Sequence, residues 1–372
     1  MLRHVLFRDD KDFAGCSIFG MMDRGGGRTN GEPVMRAIAN MKERSNGLGG
    51  GFAAYGIYPD RADLYALQLM FDDHCARRET EEFIRSGFEL AEAEPIPVRS
   101  TPEISDPPLL WRYFVQPMPS CLREDEGEDD YVVRAVMHVN VNIDGAFVFS
   151  SGKDMGVFKG VGFPEDVGRF FRLEEYEAYT WVAHGRFPTN TQGWWGGAHP
   201  FNILDWSVVH NGEISSYGIN RRYLEMFGYI CTLHTDTEVI AYAVDLLLRR
   251  HGLAIEDLAM VMAAPLWDHI DRMPREQRAR ATALRQIYGS LLMNGPFSII
   301  ISNRTRMIGL TDRIRLRPLV AGVAGRMIYI SSEEAPMHLI EEGLERTWIP
   351  TGGEPIVAEL EEIAIQRVGA GR

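Results

Sequence analysis

Four short stretches hold side chains that could do chemistry. In GCSIFG, Cys16 stands near the start of an apolar run. In VAHGRFPTNTQGWW, Arg186 follows such a run and precedes a Pro-Thr turn. In SVVHNGEIS, Asn211-Gly212 breaks a strand-like Ser-Val-Val-His, and in HTDTEV, Asp236 occupies what reads as the first turn of a helix. Each has a plain structural use. A cysteine entering a strand is often a small buried hydrophobe. A loop arginine is usually solvated. Asn-Gly is the strongest short hairpin signal, and an aspartate in a first turn complements the helix dipole. Each also has a chemical use. A thiolate is a nucleophile. A guanidinium takes a carboxylate through two parallel hydrogen bonds. An Asn-Gly bend can aim an amide and a backbone N–H at a reacting atom. Amide hydrolysis needs such parts together: a nucleophile, a base, an oxyanion site and a grip on the substrate.

Two other patterns carry less. His184, His199, His210 and His234 crowd one region and invite a metal reading, but there is no H-E-x-x-H pair. The glycine triplets in RGGGR and LGGGF neither continue into G-K-S/T nor open a dinucleotide-binding unit, which speaks against a phosphate cradle.

The elements that must position these residues can be read coarsely. CSIFGMM reads as a strand, and a helix follows from about Pro33, with Met35, Ile38 and Met41 on one face. SNGLGGGFAAYGIY is a Gly-rich turn entering a strand. Residues 61–150 look like an inserted subdomain, with an acidic loop at 123–130 (REDEGEDD) and then a strand-like YVVRAVMHVNV. Short strands alternate with turns from about 155. TDTE is a capping box, with Thr235 at the N-cap and Glu238 three residues on. Residues 256–290 read as helical. PFSIIIS, RMIGLTD, PLVAGV and RMIYISS then read as strands of an antiparallel sheet. Strand clusters beside helical blocks point to α+β layers.

Composition bounds the class. The 372 residues are 45% hydrophobic and 24% charged, which suits one large globular domain or two moderate ones. A net charge of −13 argues against a nucleic-acid or anionic-membrane binder. No apolar run reaches the roughly 18 residues of a membrane span. MLRHVLFRDDKDFAG lacks the apolar core of a secretory signal. The four cysteines are scattered without a C-x-x-C pair. That disfavours a zinc ribbon, an iron–sulfur cluster and a disulfide scaffold, and fits a reducing cytoplasm.

As a set, Cys16, then H-x-R-x-P-T, A-H-P, H-N-G and T-D-T-E-V resemble the class II glutamine amidotransferases, the N-terminal-nucleophile glutaminases. The most specific part is continuous over 182–244. ERSNGLGGGFAAYGI resembles the family's arginine–glycine turn, with Ser45 where glycine is usual. MGVFKGVGFPEDVGRFF is similar to the glutamate synthase branch. The resemblance implies a four-layer αββα sandwich of the α+β class, with an insertion at about 61–150. It implies removal of residues 1–15 as a propeptide, leaving an amidotransferase domain over 16–372. A misassigned start is the competing account of those residues.

The implied site follows the motifs. Cys16 is the nucleophile, and its own freed α-amino group is the base. Asn211 and Gly212 supply the oxyanion hole. Arg186 takes the glutamine carboxylate, Asp236 the ammonium, and Thr189 adds a hydrogen bond. Arg44 helps to orient the nucleophile, and His199 and His210 support the loops. The implied reaction hydrolyses L-glutamine to glutamate and ammonia, with no metal and no cofactor on this chain. The chain shows no cysteine cluster and no second barrel-sized block, so the acceptor chemistry is expected on a partner. A glutamate synthase-like flavoprotein, with an iron–sulfur centre as a further option, is the first choice. A γ-glutamyl transfer subunit of a methylglutamate synthase-like complex is the second. An amidohydrolase of another amide and a non-catalytic regulatory subunit remain as alternatives.

Overall fold

The computed structural model describes residues 15–187 and 193–361. Two antiparallel sheets face each other. The first has seven strands. Five of them run in the order Met327–Ser331, Ser17–Asp23, Thr180–Gly185, Gly50–Tyr55 and Met155–Gly160, the last at the sheet's edge, each hydrogen-bonded to the next. The second has five: Phe201–Ile203, Trp206–Gly212, Phe297–Ser302, Arg306–Thr311 and Ile356–Glu359. Successive side chains of a strand point to opposite faces. Ile299 and Ile301 therefore join one core, with the helix Asp236–Val244, while Ile300 joins the other, with Phe19 and Val182. This explains why PFSIIIS is apolar without alternation: it is covered on both sides. Gly20 of Ser17–Asp23 lies against Ile300 and Met307 of the second sheet. The helix Glu32–Asn40, with Pro33 in its first turn, packs on the first sheet. Tyr217–Glu225 packs beside Asp236–Val244 over the second. The four C-terminal strand segments expected as one sheet are divided. Phe297–Ser302 and Arg306–Thr311 lie in the second sheet, and Val320–Ala324 and Met327–Ser331 in the first.

Between Gly50–Tyr55 and Met155–Gly160, which pair directly, the chain builds a separate four-stranded antiparallel sheet. Its strands are Tyr65–Phe71, Phe88–Pro95, Leu109–Pro117 and Ala146–Ser150. Two helices, His74–Gly87 and Glu128–Asn142, pack against it. The second helix corrects the strand reading of residues 131–141. Val132, Val136 and Val139 are buried on one side at helical spacing. Glu128, Asp129 and Asp130, read as the end of an acidic loop, form its first turn, where negative charge meets the positive end of the dipole. β-branched content suggested a strand, and tertiary packing overrides that preference. Among the described residues no helix is long and apolar enough to cross a membrane.

Candidate active site

The pairing of two central strands brings the first two motifs together. Ser17 lies opposite Gly185, so Cys16, just before one strand, stands beside Arg186, just after the other. The backbone N–H of Phe187 donates to Cys16 Sγ at 3.3 Å. Arg44 Nε donates to the Cys16 carbonyl at 3.3 Å, and its Nη1 pairs with Glu333 at 3.0 Å. Ser45 is buried and its hydroxyl donates to the Arg186 carbonyl at 3.2 Å, so a serine at this turn anchors the arginine's backbone. The LGGGF glycines allow close approach: a β-carbon on Gly51 would stand 2.2 Å from the His199 carbonyl oxygen.

Asn211 and Gly212 are not a hairpin turn. They end the strand Trp206–Gly212 and pair with Ser298 and Phe297. The bend falls earlier, at Leu204 and Asp205, between Phe201–Ile203 and Trp206–Gly212. The glycine is still required, because its φ is +155° and a β-carbon would meet the Pro296 carbonyl oxygen at 2.0 Å. Asn211 is fully buried, yet neither its Nδ2 nor its Oδ1 has a hydrogen-bond partner among the described residues. A buried amide left unpaired is costly. Its Oδ1 lies 3.9 Å from where a β-carbon on Gly15 would stand, so it is near the residue that precedes Cys16.

Asp236 opens its helix as expected, and Thr235 caps it by accepting from the Thr237 N–H at 3.1 Å. The capping box does not close. Glu238 instead accepts from the backbone N–H groups of Thr232 and Leu233 at 3.0 and 2.9 Å. Asp236 Oδ2 accepts from the Ile214 N–H at 3.0 Å, and Oδ1 lies 3.5 Å from His210 Nδ1. Burial pushes the Asp236 carboxyl up. His210, the Ile214 N–H and Thr237 outweigh that and hold it below the usual carboxylate range.

The histidines form a stack behind these groups. His184 and His199 lie ring on ring, with centroids 3.9 Å apart. His184 Nε2 is 2.9 Å from the His210 carbonyl oxygen. Thr237 Oγ1 sits 3.2 Å from His210 Nδ1 and 3.4 Å from His199 Nε2. Burial pushes His184 down to about 3 and His199 well below its ordinary value. Both rings are therefore neutral at pH 7. Among the described residues no group of three His, Cys, Asp or Glu could hold a metal.

Cys16, Arg186, Gly212, Asp236, His199 and His210 all line one cavity of about 230 Å³. Burial pushes the Cys16 thiol up, against the Phe187 N–H and the Arg186 charge, which pull it down. Thr189 and the expected propeptide residues 1–14 lie outside the described residues. The motifs did not single out Phe187 or Arg317. Phe187 acts through its backbone N–H, which any residue carries. The Arg317 guanidinium lies beside Gly15 but belongs to a loop far away in the chain. Chemically, the cavity offers a thiol, a cation and an anion at separate places; Gly212 lines it, while the Asn211 amide lies buried behind that lining.

A family model described as "Glutamine amidotransferases class-II" matches residues 96–367, a stretch that holds Arg186, Asn211, Gly212 and Asp236. An "Uncharacterized protein" of Archaeoglobus fulgidus is 55% identical over 354 residues, 94% of each chain. An amidophosphoribosyltransferase of Methanocaldococcus jannaschii is 26% identical over 52% of this chain and 36% of its own length. A solved structure of the glutamine phosphoribosylpyrophosphate amidotransferase from B. subtilis aligns with a TM-score of 0.45 and 14% identity, over 93% of this chain and 50% of that one. The chain thus spans half or less of these two named enzymes.

Proposed function

We propose, because the chain belongs to the class II glutamine amidotransferases, that it hydrolyses the side-chain amide of L-glutamine and delivers the ammonia to a synthase on another chain. The observation that carries this is Asn211: a fully buried amide without a hydrogen-bond partner among the described residues, near Gly15, which precedes Cys16. It has the burial and the free donor that an oxyanion site needs.

The reaction follows from the placement. Arg186 binds the α-carboxylate of free glutamine, and Asp236, held ionised, binds its α-ammonium. Removal of residues 1–15 frees the Cys16 α-amino group, which accepts the thiol proton. Sulfur bonds to the side-chain carbonyl carbon, and the oxygen's developing charge meets the Asn211 Nδ2–H and the Gly212 N–H. The C–N bond breaks as the amine returns the proton, and ammonia leaves a γ-glutamyl thioester. Water then opens the thioester, giving glutamate and the free thiol. The facing sheets with helices outside support the four-layer αββα reading. The acceptor partner is a glutamate synthase-like flavoprotein, a choice supported by the MGVFKGVGFPEDVGRFF resemblance.

Mass spectrometry of turnover-competent protein tests the proposal. A mature chain starting at Cys16, with ammonia release abolished in Cys16→Ala, is expected. Ammonia release by Cys16→Ala, or by a chain still starting at Met1, would overturn it.

A further inference from the structure

The loop between Arg306–Thr311 and Val320–Ala324 reads DRIRLRP and is built unlike a solvent loop. Ile314 and Leu316 are 61% and 58% exposed, and Ile349, which precedes the Pro350 that Arg315 bonds, is 58% exposed. The loop is nonetheless rigidly held. The Asp312 carboxylate accepts from the N–H groups of Phe297, Ile314 and Leu316 at 3.2, 3.1 and 2.9 Å. Arg315, between the two aliphatics, has a φ of +53°, a left-handed conformation that a β-carbon disfavours. Arg315 Nη1 donates to the Pro350 carbonyl at 3.1 Å and Arg313 Nη1 to the Ala264 carbonyl at 3.3 Å. That joins the loop to a neighbouring patch with exposed Trp267. Among the described residues no carboxylate pairs with Arg313 or Arg315. At its far end Arg317 reaches Gly15, next to the nucleophile.

We infer that this surface docks the acceptor-side protein, through an apolar centre ringed by acidic residues on that protein; this rests on the reading of the chain as a glutaminase subunit. Arginines without a carboxylate partner among the described residues, on a chain of net charge −13, are complementary to an acidic face. Exposed aliphatics alternating with such arginines match the mixed composition of an interface. A second copy fits poorly, because a two-fold contact would set this patch against itself, arginine on arginine.

The test places a photo-crosslinking benzoylphenylalanine at Leu316 of the full chain in its native cells. The captured chain is then purified and added to the unmodified protein. Expected is one captured protein whose crosslinked peptide is rich in Asp and Glu, and which raises the rate of glutamine hydrolysis. That rise is lost in Leu316→Asp and in Arg315→Glu, while each variant keeps its unassisted rate and stays folded at the assay temperature. Capture of a second copy, capture of residues 1–14 of the same chain, no capture, or stimulation unchanged in both variants overturns the inference. Failure of the glutaminase reading looks different: no hydrolysis by any form, including the unmodified one.

Discussion

The Phe187 N–H donates to Cys16 Sγ at 3.3 Å, so the sulfur is pinned to the segment that carries Arg186. Cys16 and Arg186, the proposed nucleophile and the proposed cation for the substrate carboxylate, are thereby fixed by one stretch of backbone. Any shift of that stretch moves both, and the spacing between attack and grip is preserved.

The buried amide of Asn211 should act on the transition state more than on the bound substrate. Asn211→Ala is expected to lower kcat by about 10²–10³-fold with little change in KM. Steady-state ammonia release on processed enzyme checks this. An equal rise in KM with kcat unchanged would place Asn211 in substrate binding instead.

Gly212→Ala should fail differently, through the fold. Its β-carbon would meet the Pro296 oxygen at 2.0 Å and the Phe297 Cα at 2.8 Å, which forces the two central strands of the second sheet apart. A destabilisation of at least about 1–3 kcal/mol is expected, together with loss of activity. Thermal melts read it; an unchanged melting temperature would contradict the close approach.

Asp236→Asn keeps the shape and removes the charge. It should weaken glutamine capture by about 1.5–3 kcal/mol, roughly 10–150-fold in kcat/KM, and most of the change should appear in KM. Analogues lacking the α-amino group should be handled alike by the variant and the original protein. If the variant discriminates against them as before, Asp236 does not bind the ammonium.

The site was legible where one residue type and its immediate neighbours decide the role. Arg186 after its strand, Asp236 in a first turn and Thr235 as N-cap are local facts of this kind. Asn211-Gly212 misled as a turn because the strongest short hairpin pattern here lies inside a central strand, where pairing with Ser298 and Phe297 prevails. Glu238 misled because its capping pattern is local, while its actual partners, Thr232 and Leu233, precede the helix. Residues 131–141 misled because their valines pack at helical spacing on a sheet that sequence alone does not place. The Phe187 N–H has no local signature, and the nearness of Arg317 to Gly15 comes from segments brought together across most of the chain.

Two buried ionisable groups behind the site set a pH dependence of stability. Lys159 donates to the Gly196 carbonyl at 3.0 Å beneath the Phe201 ring, and burial pushes its amine down to about 7. Burial pushes Glu238 up to about 7. For Lys159 the unfolded chain binds the extra proton between about 7 and its ordinary 10.5, so its contribution to stability rises with pH there. For Glu238 the folded chain binds the extra proton between 4.5 and about 7, so its contribution falls as pH rises through that window. Denaturant melts across pH 5–10 should show Lys159→Met flattening the alkaline rise and Glu238→Gln the acid-side fall, each relative to the original protein. Parallel curves would show that neither group titrates in its window.

The nucleophile's state before and after processing gives a separate prediction. With Gly15 in place, Cys16 has no α-amino group to take its proton, and burial pushes its thiol up. Only the thiolate attacks an alkylating agent, so Cys16 should react slowly with iodoacetamide at pH 7 in the full-length chain. A chain expressed to begin at Cys16 gains an amine with an ordinary pKa of about 7.7–8.0. Its Cys16 should alkylate faster. The rate should climb with pH through that amine's range. Peptide mass spectrometry separates Cys16 from the exposed Cys75, which serves as an internal reference for reagent strength. Equal Cys16 rates in the two chains, after scaling to Cys75, would mean that processing does not arm the sulfur.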